Sequence, residues 1–148
     1  MSSCPCGSGL DLDDCCGPYL DGEPAPTAEA LMRSRYTAFA RADEDHVFRT
    51  WHPRTRPAGP YADPDITWTG LRILHTGDGG VEDDTGEVEF IASWRRDDGV
   101  SGEVHELSHF ARRAGRWFYL DGELADGRDL GVVSAEWSPL GCGRRGLT

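Results

Sequence analysis

The sequence predicts an α+β protein: a small cysteine-rich front segment, then two helices, then a cone-shaped curved antiparallel sheet packed on those helices. Three observations carry that reading. Four of the five cysteines fall in one short stretch, CPCGSGLDLDDCC at 4–16. Apolar residues recur at helical spacing between about residues 28 and 51. From residue 66 the spacing changes to period two, in runs separated by glycine-rich turns.

The cysteines are arranged as Cys4-x-Cys6 and, after eight intervening residues, Cys15-Cys16. Disulfides within either close pair would be strained, although bridges across the pairs remain open. The C-x-x-C spacing of a redox couple is missing. Four thiolates around one zinc ion satisfy tetrahedral geometry without that strain. Gly7 and Gly9 supply the positive φ values that a tight loop around a metal needs. A segment this short has no core of its own, so metal binding would be its folding reaction. Using Cys4, Cys6, Cys15 and Cys16 leaves no open position, which points to one structural zinc per chain.

Next, Gly22-Glu23-Pro24-Ala25-Pro26 reads as a turn, because two prolines interrupt regular structure. Thr27 is a helix N-cap with Glu29 in the first turn. The helix runs over 28–42, with Leu31, Met32, Tyr36 and Phe39 forming its apolar stripe and Arg33, Arg35 and Arg41 around it. A second short helix starts within Asp43–Asp45, carries Val47, Phe48 and Trp51, and ends at Pro53. Four prolines make 52–64 an irregular loop. Strands follow near 66–75, 86–96, 102–113 and 116–121. Long strands twist and curl. A curled sheet closed by helices makes a cone with a pocket at its wide end.

Strand parity selects the candidate site. Val104, Glu106, Ser108 and Phe110 share one face of the third strand, and Trp117, Tyr119 and Asp121 share one face of the fourth. The opposite set holds His105, Leu107, His109, Phe118 and Leu120. Glu106 and Asp121, flanked by aromatic neighbours, are the candidates for an inward carboxylate pair, with Arg33 and Arg35 as partners. The arginines, with Tyr36, either bind an anionic ligand or fix helix to sheet. His52 is either a general acid/base at the cone mouth or a cap on the helix end. Trp51, Trp68, Trp94 and Trp117 read as core. The pocket candidates are therefore Arg33, Arg35, Tyr36, Trp51, His52, Glu106, Ser108, Phe110, Trp117, Tyr119 and Asp121. His105 and His109 lie about 13 Å apart along one strand face, too far to share a metal. His46 and His75 match no pattern.

The 148 residues suit one domain plus a small appendage, and 38% hydrophobic residues with five Trp, five Phe and four Tyr suffice for one core. A basic-then-apolar leader pattern and an apolar run near membrane-spanning length are both missing, so a soluble cytoplasmic protein with reduced thiols is expected. A net charge of −11 disfavours nucleic acid and anionic membranes, leaving a protein or small-molecule ligand as partner. The G-x-S-x-G, H-E-x-x-H, P-loop and dinucleotide motifs do not occur.

C-P-C-G-S-G-x5-C-C resembles the SEC-C zinc module named from the C-terminal tail of the SecA translocase. That module is usually Lys-rich after the glycines, whereas this chain reads Leu10-Asp11-Leu12-Asp13-Asp14. A cap on the main domain and a docking element both stay open. LMRSRYTAF at 31–39, TWHP at 50–53, WTGL at 68–71 and ELSHF…GRWFYLDG at 106–122 resemble the bacterial YchJ family over residues 3–122. The resemblance implies a SEC-C-like zinc module over 1–22 and a nuclear-transport-factor-2-like (cystatin-like) domain over 27–124. Residues 125–148 would be a tail resembling a decayed second SEC-C module, since Cys142 stands alone where a second cysteine set is expected. Ser108-His109-Phe110 replaces the expected S-R-F. The family brings no assigned activity. The expected function is a zinc-stapled binding or adaptor protein rather than an enzyme. The alternatives are a small-molecule enzyme using His52, Glu106 and Asp121, and a secretion- or ribosome-linked factor by analogy with SecA.

Overall fold

The computed structural model describes residues 3–124. The front segment forms a 3₁₀ turn at Leu12–Asp14 and a one-turn helix α1 at Gly17–Leu20, neither legible from periodicity. Gly7 and Gly9 take φ values of 81° and 87°, the left-handed conformations expected of the loop between the cysteine pairs.

Helix α2 spans Ala28–Arg41. Thr27 caps it, its hydroxyl accepting from the Ala30 N–H at 3.0 Å. The chain leaves through Ala42 in the left-handed conformation. Leu31, Met32, Tyr36 and Phe39 are buried as the stripe predicts, and Arg35 is buried with them. Helix α3 spans Glu44–Thr50, capped by Asp43, whose carboxylate accepts from the His46 N–H. Its predicted apolar residues divide: Val47 is buried, Phe48 is 45% exposed and stacks under Arg56, and Trp51 closes the helix end inside the core.

Four strands form one antiparallel meander in the order β1 (Ile66–Asp78), β2 (Thr85–Arg96), β3 (Ser101–Arg113), β4 (Arg116–Leu124). Two register shifts in β1, at Thr69 and Leu74, add residues opposite β2. A third shift, at Leu120, does the same in β4 opposite β3. Each bulge increases local twist, so the sheet curls around the helices. Alternation is clean on β2, where Val88, Phe90, Ala92 and Trp94 all face the core.

The segment after α3 covers the β4 edge. Trp51 bridges to Tyr119, the His52 N–H donates to the Tyr119 carbonyl at 2.8 Å, and the Thr55 hydroxyl donates to the Leu120 carbonyl at 2.5 Å. An edge so covered offers no free ladder to another strand. The tail expectations, including Cys142, lie outside the described residues.

Candidate functional site

The four front cysteines converge. The loop through Gly7 and Gly9 returns the chain so that the Cys4 N–H donates to the Leu10 carbonyl at 2.8 Å, which brings the second pair beside the first. All four sulfurs lie within 4.8 Å of one another. Cys6 and Cys15 are 3.5 Å apart, and Cys15 and Cys16 are 3.9 Å apart. A zinc ion with Zn–S bonds of about 2.3 Å sets the tetrahedron's edges near 3.8 Å, so the donor set fits that ion in number, kind and spacing.

Cys4, Cys6 and Cys16 are buried as part of the main core, and only Cys15 is partly open. Cys6 is pushed down to about 4, chiefly by a hydrogen bond from Cys16, against its own burial. The same hydrogen bond, with burial, pushes Cys16 up. Thiolate charge thus concentrates where the sulfurs meet, at a place where a divalent cation could replace the shared protons.

Arg33 does not reach the cone. Its guanidinium donates to the Cys6 carbonyl at 3.0 Å, stands 3.9 Å from the Cys6 sulfur, and is held by Glu29 at 3.0 Å. The helix side chain expected to answer Glu106 instead sets a positive charge against the thiolate cluster. Cys4 adds a second tie to α2, 3.6 Å from the Thr37 hydroxyl.

Of the remaining candidates, Arg35, Glu106, Ser108, Phe110 and Tyr119 do come together inside the cone. Glu106 is 1% exposed, and one of its oxygens accepts from the Ser108 hydroxyl at 2.5 Å and the Tyr119 hydroxyl at 3.1 Å. Arg35 lines the same small cavity. Its guanidinium lies 4.6 Å from the Tyr119 ring centre and 5.0 Å from that of Trp51, and it donates to the Thr50 hydroxyl at 2.8 Å. Phe110 packs edge-on against Tyr119. The cavity they share is about 10 Å³, room for roughly one water molecule. The expected open pocket at the wide end is filled by these side chains.

The others stand elsewhere. Tyr36 packs edge-on against Trp68, and burial pushes its hydroxyl up to about 12 despite a hydrogen bond to the Gly70 backbone. The Trp117 indole donates to the Pro26 carbonyl at 3.3 Å. The His52 ring meets Phe118, and its Nδ1 accepts from the Arg54 N–H, so it caps the turn that follows it and not helix α3. Asp121 is a correction: the extra residue at Leu120 breaks strict alternation and sets Asp121 opposite His109 on the outer face. Gly122 takes the inward place, opposite Ser108. That outer face carries histidine–carboxylate hydrogen bonds, His105 with Glu89 at 2.7 Å and His109 with Glu123 at 3.0 Å. His52, Glu106 and Asp121 therefore point to three separate surroundings, and the predicted acid–base set does not assemble.

His46, which matched no pattern, is 2% exposed. Its Nε2 lies 2.9 Å from the Ser34 hydroxyl. That hydroxyl spends its hydrogen on the Leu31 carbonyl, so Nε2 is the donor and Nδ1 is a bare acceptor. Burial first, then Arg35 and Arg49, push the ring down to about 4 against the pull of Asp43 and Asp45. A base whose folded value lies below the unfolded one contributes in full above about pH 6.5. That contribution is lost as pH falls toward about 4, because the unfolded chain binds the proton more readily. The loss is on the order of 3 kcal/mol. His46→Gln keeps a donor toward Ser34 and is expected to flatten the stability profile between those limits in urea titrations. A profile parallel to the parent's contradicts this assignment.

A tetracysteine module seated on a helix-roofed, curved four-stranded sheet defines the class: a SEC-C motif joined to an NTF2-like α+β domain. The SEC-C motif matches residues 2–18, and the family described as "YchJ, middle NTF2-like domain" matches residues 27–122. The chain belongs to the YchJ family, whose members also carry the name UPF0225. It is 52% identical over 124 residues to UPF0225 protein SCO1677 of Streptomyces coelicolor, covering 83% of this chain and 96% of that one. A UPF0225 protein of Deinococcus radiodurans is 50% identical over 119 residues, 80% of this chain and 86% of its own. The solution structure of RPA3114, a SEC-C motif containing protein from Rhodopseudomonas palustris, superposes with a TM-score of 0.71 at 39% identity, over 83% of this chain and 98% of that one. The crystal structure of a SEC-C motif containing protein from Psychrobacter arcticus gives 0.65 at 26% identity, over 97% and 92%. No helix among the described residues is long and apolar enough to cross a membrane.

Proposed function

We propose that the chain is a zinc-stapled binding or adaptor protein that engages a protein or small-molecule partner outside its cone. The observation that carries this reading is the convergence of four cysteine sulfurs, three of them within the main core, at the joint between front segment and body. A bound zinc ion supplies charge neutralisation and cross-linking of that joint, with all four positions taken by protein. Arg33 offsets the residual negative charge and ties α2 to Cys6. The filled cone and the separation of His52, Glu106 and Asp121 support a non-enzymatic role over the acid–base alternative. The secretion- or ribosome-linked alternative finds little support, because Asp13 and Asp14 are exposed beside the cysteines and repel an RNA backbone. The charge of −11 likewise disfavours anionic membranes, and reduced thiols suit a cytoplasmic setting.

Elemental analysis of the purified full chain is expected to return one zinc per chain, and chelation to collapse the amide resonances of the front segment into the narrow range of an unfolded chain. A metal-free chain with an unchanged amide spectrum contradicts the proposal.

A further inference from the structure

The cysteine cluster is open on one side only. Cys4, Cys6 and Cys16 are buried, whereas Cys15 is partly open to solvent. Its sulfur stands 3.1 Å from the Ser8 hydroxyl, in a loop whose residues Gly7, Ser8, Gly9 and Leu10 are all exposed. The Leu10 N–H donates to the Ser8 oxygen at 3.2 Å, which fixes that hydroxyl beside the sulfur. Two glycines give the loop little to cover the sulfur with, and a Cβ added to Gly9 would meet nothing within 4 Å. A small oxidant in water therefore reaches this sulfur before the other three. Oxidation of cysteine follows exposure and thiolate character, and a second thiol beside the first turns the product into a disulfide.

The geometry also selects that second thiol. Cys16 is 3.9 Å away but is the next residue, so a bridge to it closes a strained ring. Cys4 is turned to α2, with its sulfur 3.6 Å from the Thr37 hydroxyl. Cys6 lies at 3.5 Å and is far enough along the chain to pair without that strain. A disulfide bond is about 2.0 Å long, so the two sulfurs need to close by about 1.5 Å.

We propose that Cys15 is an oxidation site for peroxide and that Cys6 resolves it, so that the cluster exchanges its metal for a Cys6–Cys15 disulfide. This rests on the zinc-stapled reading above and gives that staple a release. The Cys15 sulfur attacks one peroxide oxygen, and the O–O bond breaks to leave a sulfenic acid and hydroxide. The Cys6 thiolate then attacks the Cys15 sulfur and expels a second hydroxide. Two thiolates have lost two electrons in all, peroxide has gained them, and solvent protons turn both hydroxides into water. Cys4 and Cys16 are then the two remaining ligands, too few for a closed tetrahedral site.

The test uses the zinc-loaded full chain carrying Cys142→Ser, so that the fifth cysteine cannot enter the chemistry. One equivalent of hydrogen peroxide is added, and free zinc is followed with a colorimetric chelator. The remaining thiols are alkylated, the disulfide is reduced, and the freed pair is tagged with a second reagent and located by fragmentation mass spectrometry. Zinc release with tags on Cys6 and Cys15, reversed by reductant plus zinc, is the expected result. Cys15→His keeps a fourth zinc donor but no sulfur at the open position, and is expected to release zinc at least about tenfold more slowly. Zinc retained under peroxide, or tags on any other pair, overturns the inference. So does a Cys15→His chain that holds zinc and releases it as fast as the parent. Should that variant fail to hold zinc, the tagged positions in the parent decide. A starting sample with one zinc per chain leaves the zinc-stapled reading standing through each of those failures. A starting sample that is folded without metal overturns that reading instead.

Discussion

Cys16→Ser is expected to remove the metal and to lower the thermal midpoint by about 10 °C or more. The magnitude follows from two losses. Structural zinc in small modules contributes on the order of 10 kcal/mol to the folding of the segment it holds. Only part of that reaches the body, but the body depends on the module for burial, since Cys4, Cys6 and Cys16 belong to its core. Losing their cover and the Arg33 tie to Cys6 together costs about 3–5 kcal/mol, and a domain of this size loses roughly 2–5 °C per kcal/mol.

Cys15→Ser separates the two losses. Cys15 is partly open, beside the Ser8 hydroxyl at 3.1 Å, and it contributes little packing. Both variants are expected to lose metal, with Cys16→Ser the less stable of the two. Elemental analysis and thermal melts, with and without chelator, check this. A Cys16→Ser protein that holds its midpoint within about 2 °C of the parent contradicts the coupling of module to body.

The parts of the fold that were legible are those set by local rules. Thr27 announced the start of α2, and the Leu31–Phe39 stripe announced its buried face, because a cap and a helical period need only neighbours in sequence. The cysteine cluster was legible for the same reason: four ligands within thirteen residues have few other uses.

What escaped depends on contacts between distant segments. Arg33 and Arg35 are two apart on one helix, so they face different ways: Arg33 meets Cys6, and Arg35 enters the cone. Composition gave no means of assigning them. The bulge at Leu120 turned Asp121 outward, and its one sequence signal was Gly122, since a glycine inside a strand often marks a bulge or a close approach. His46 carried no motif, and its importance arises only where α2, α3 and β4 meet. The cone's emptiness was inferred from curvature alone, whereas the aromatic side chains that curvature brings together fill it.

Gly122→Ala is expected to destabilise the chain by about 3–5 kcal/mol, through its effect on Glu106. An added Cβ would stand 2.0 Å from the Glu106 carboxylate oxygen and 2.9 Å from the Tyr119 hydroxyl. A surface carboxylate would swing aside. This one is 1% exposed, and the same oxygen accepts from both Ser108 and Tyr119, so moving it breaks two hydrogen bonds in a cavity with room for about one water. A double-mutant cycle with Glu106→Ala locates the cost. Removing the carboxylate makes space for the methyl group, so Gly122→Ala is expected to cost under about 1 kcal/mol in that background. Urea titrations of the four proteins provide the comparison. Additive costs would place the strain in the bulged backbone and not at the carboxylate. Strong coupling would instead mark Glu106, Ser108, Tyr119 and Gly122 as one packed unit whose purpose is to close the cone. That outcome weighs against chemistry there, because a carboxylate that tolerates no displacement and faces room for about one water has no path to a substrate.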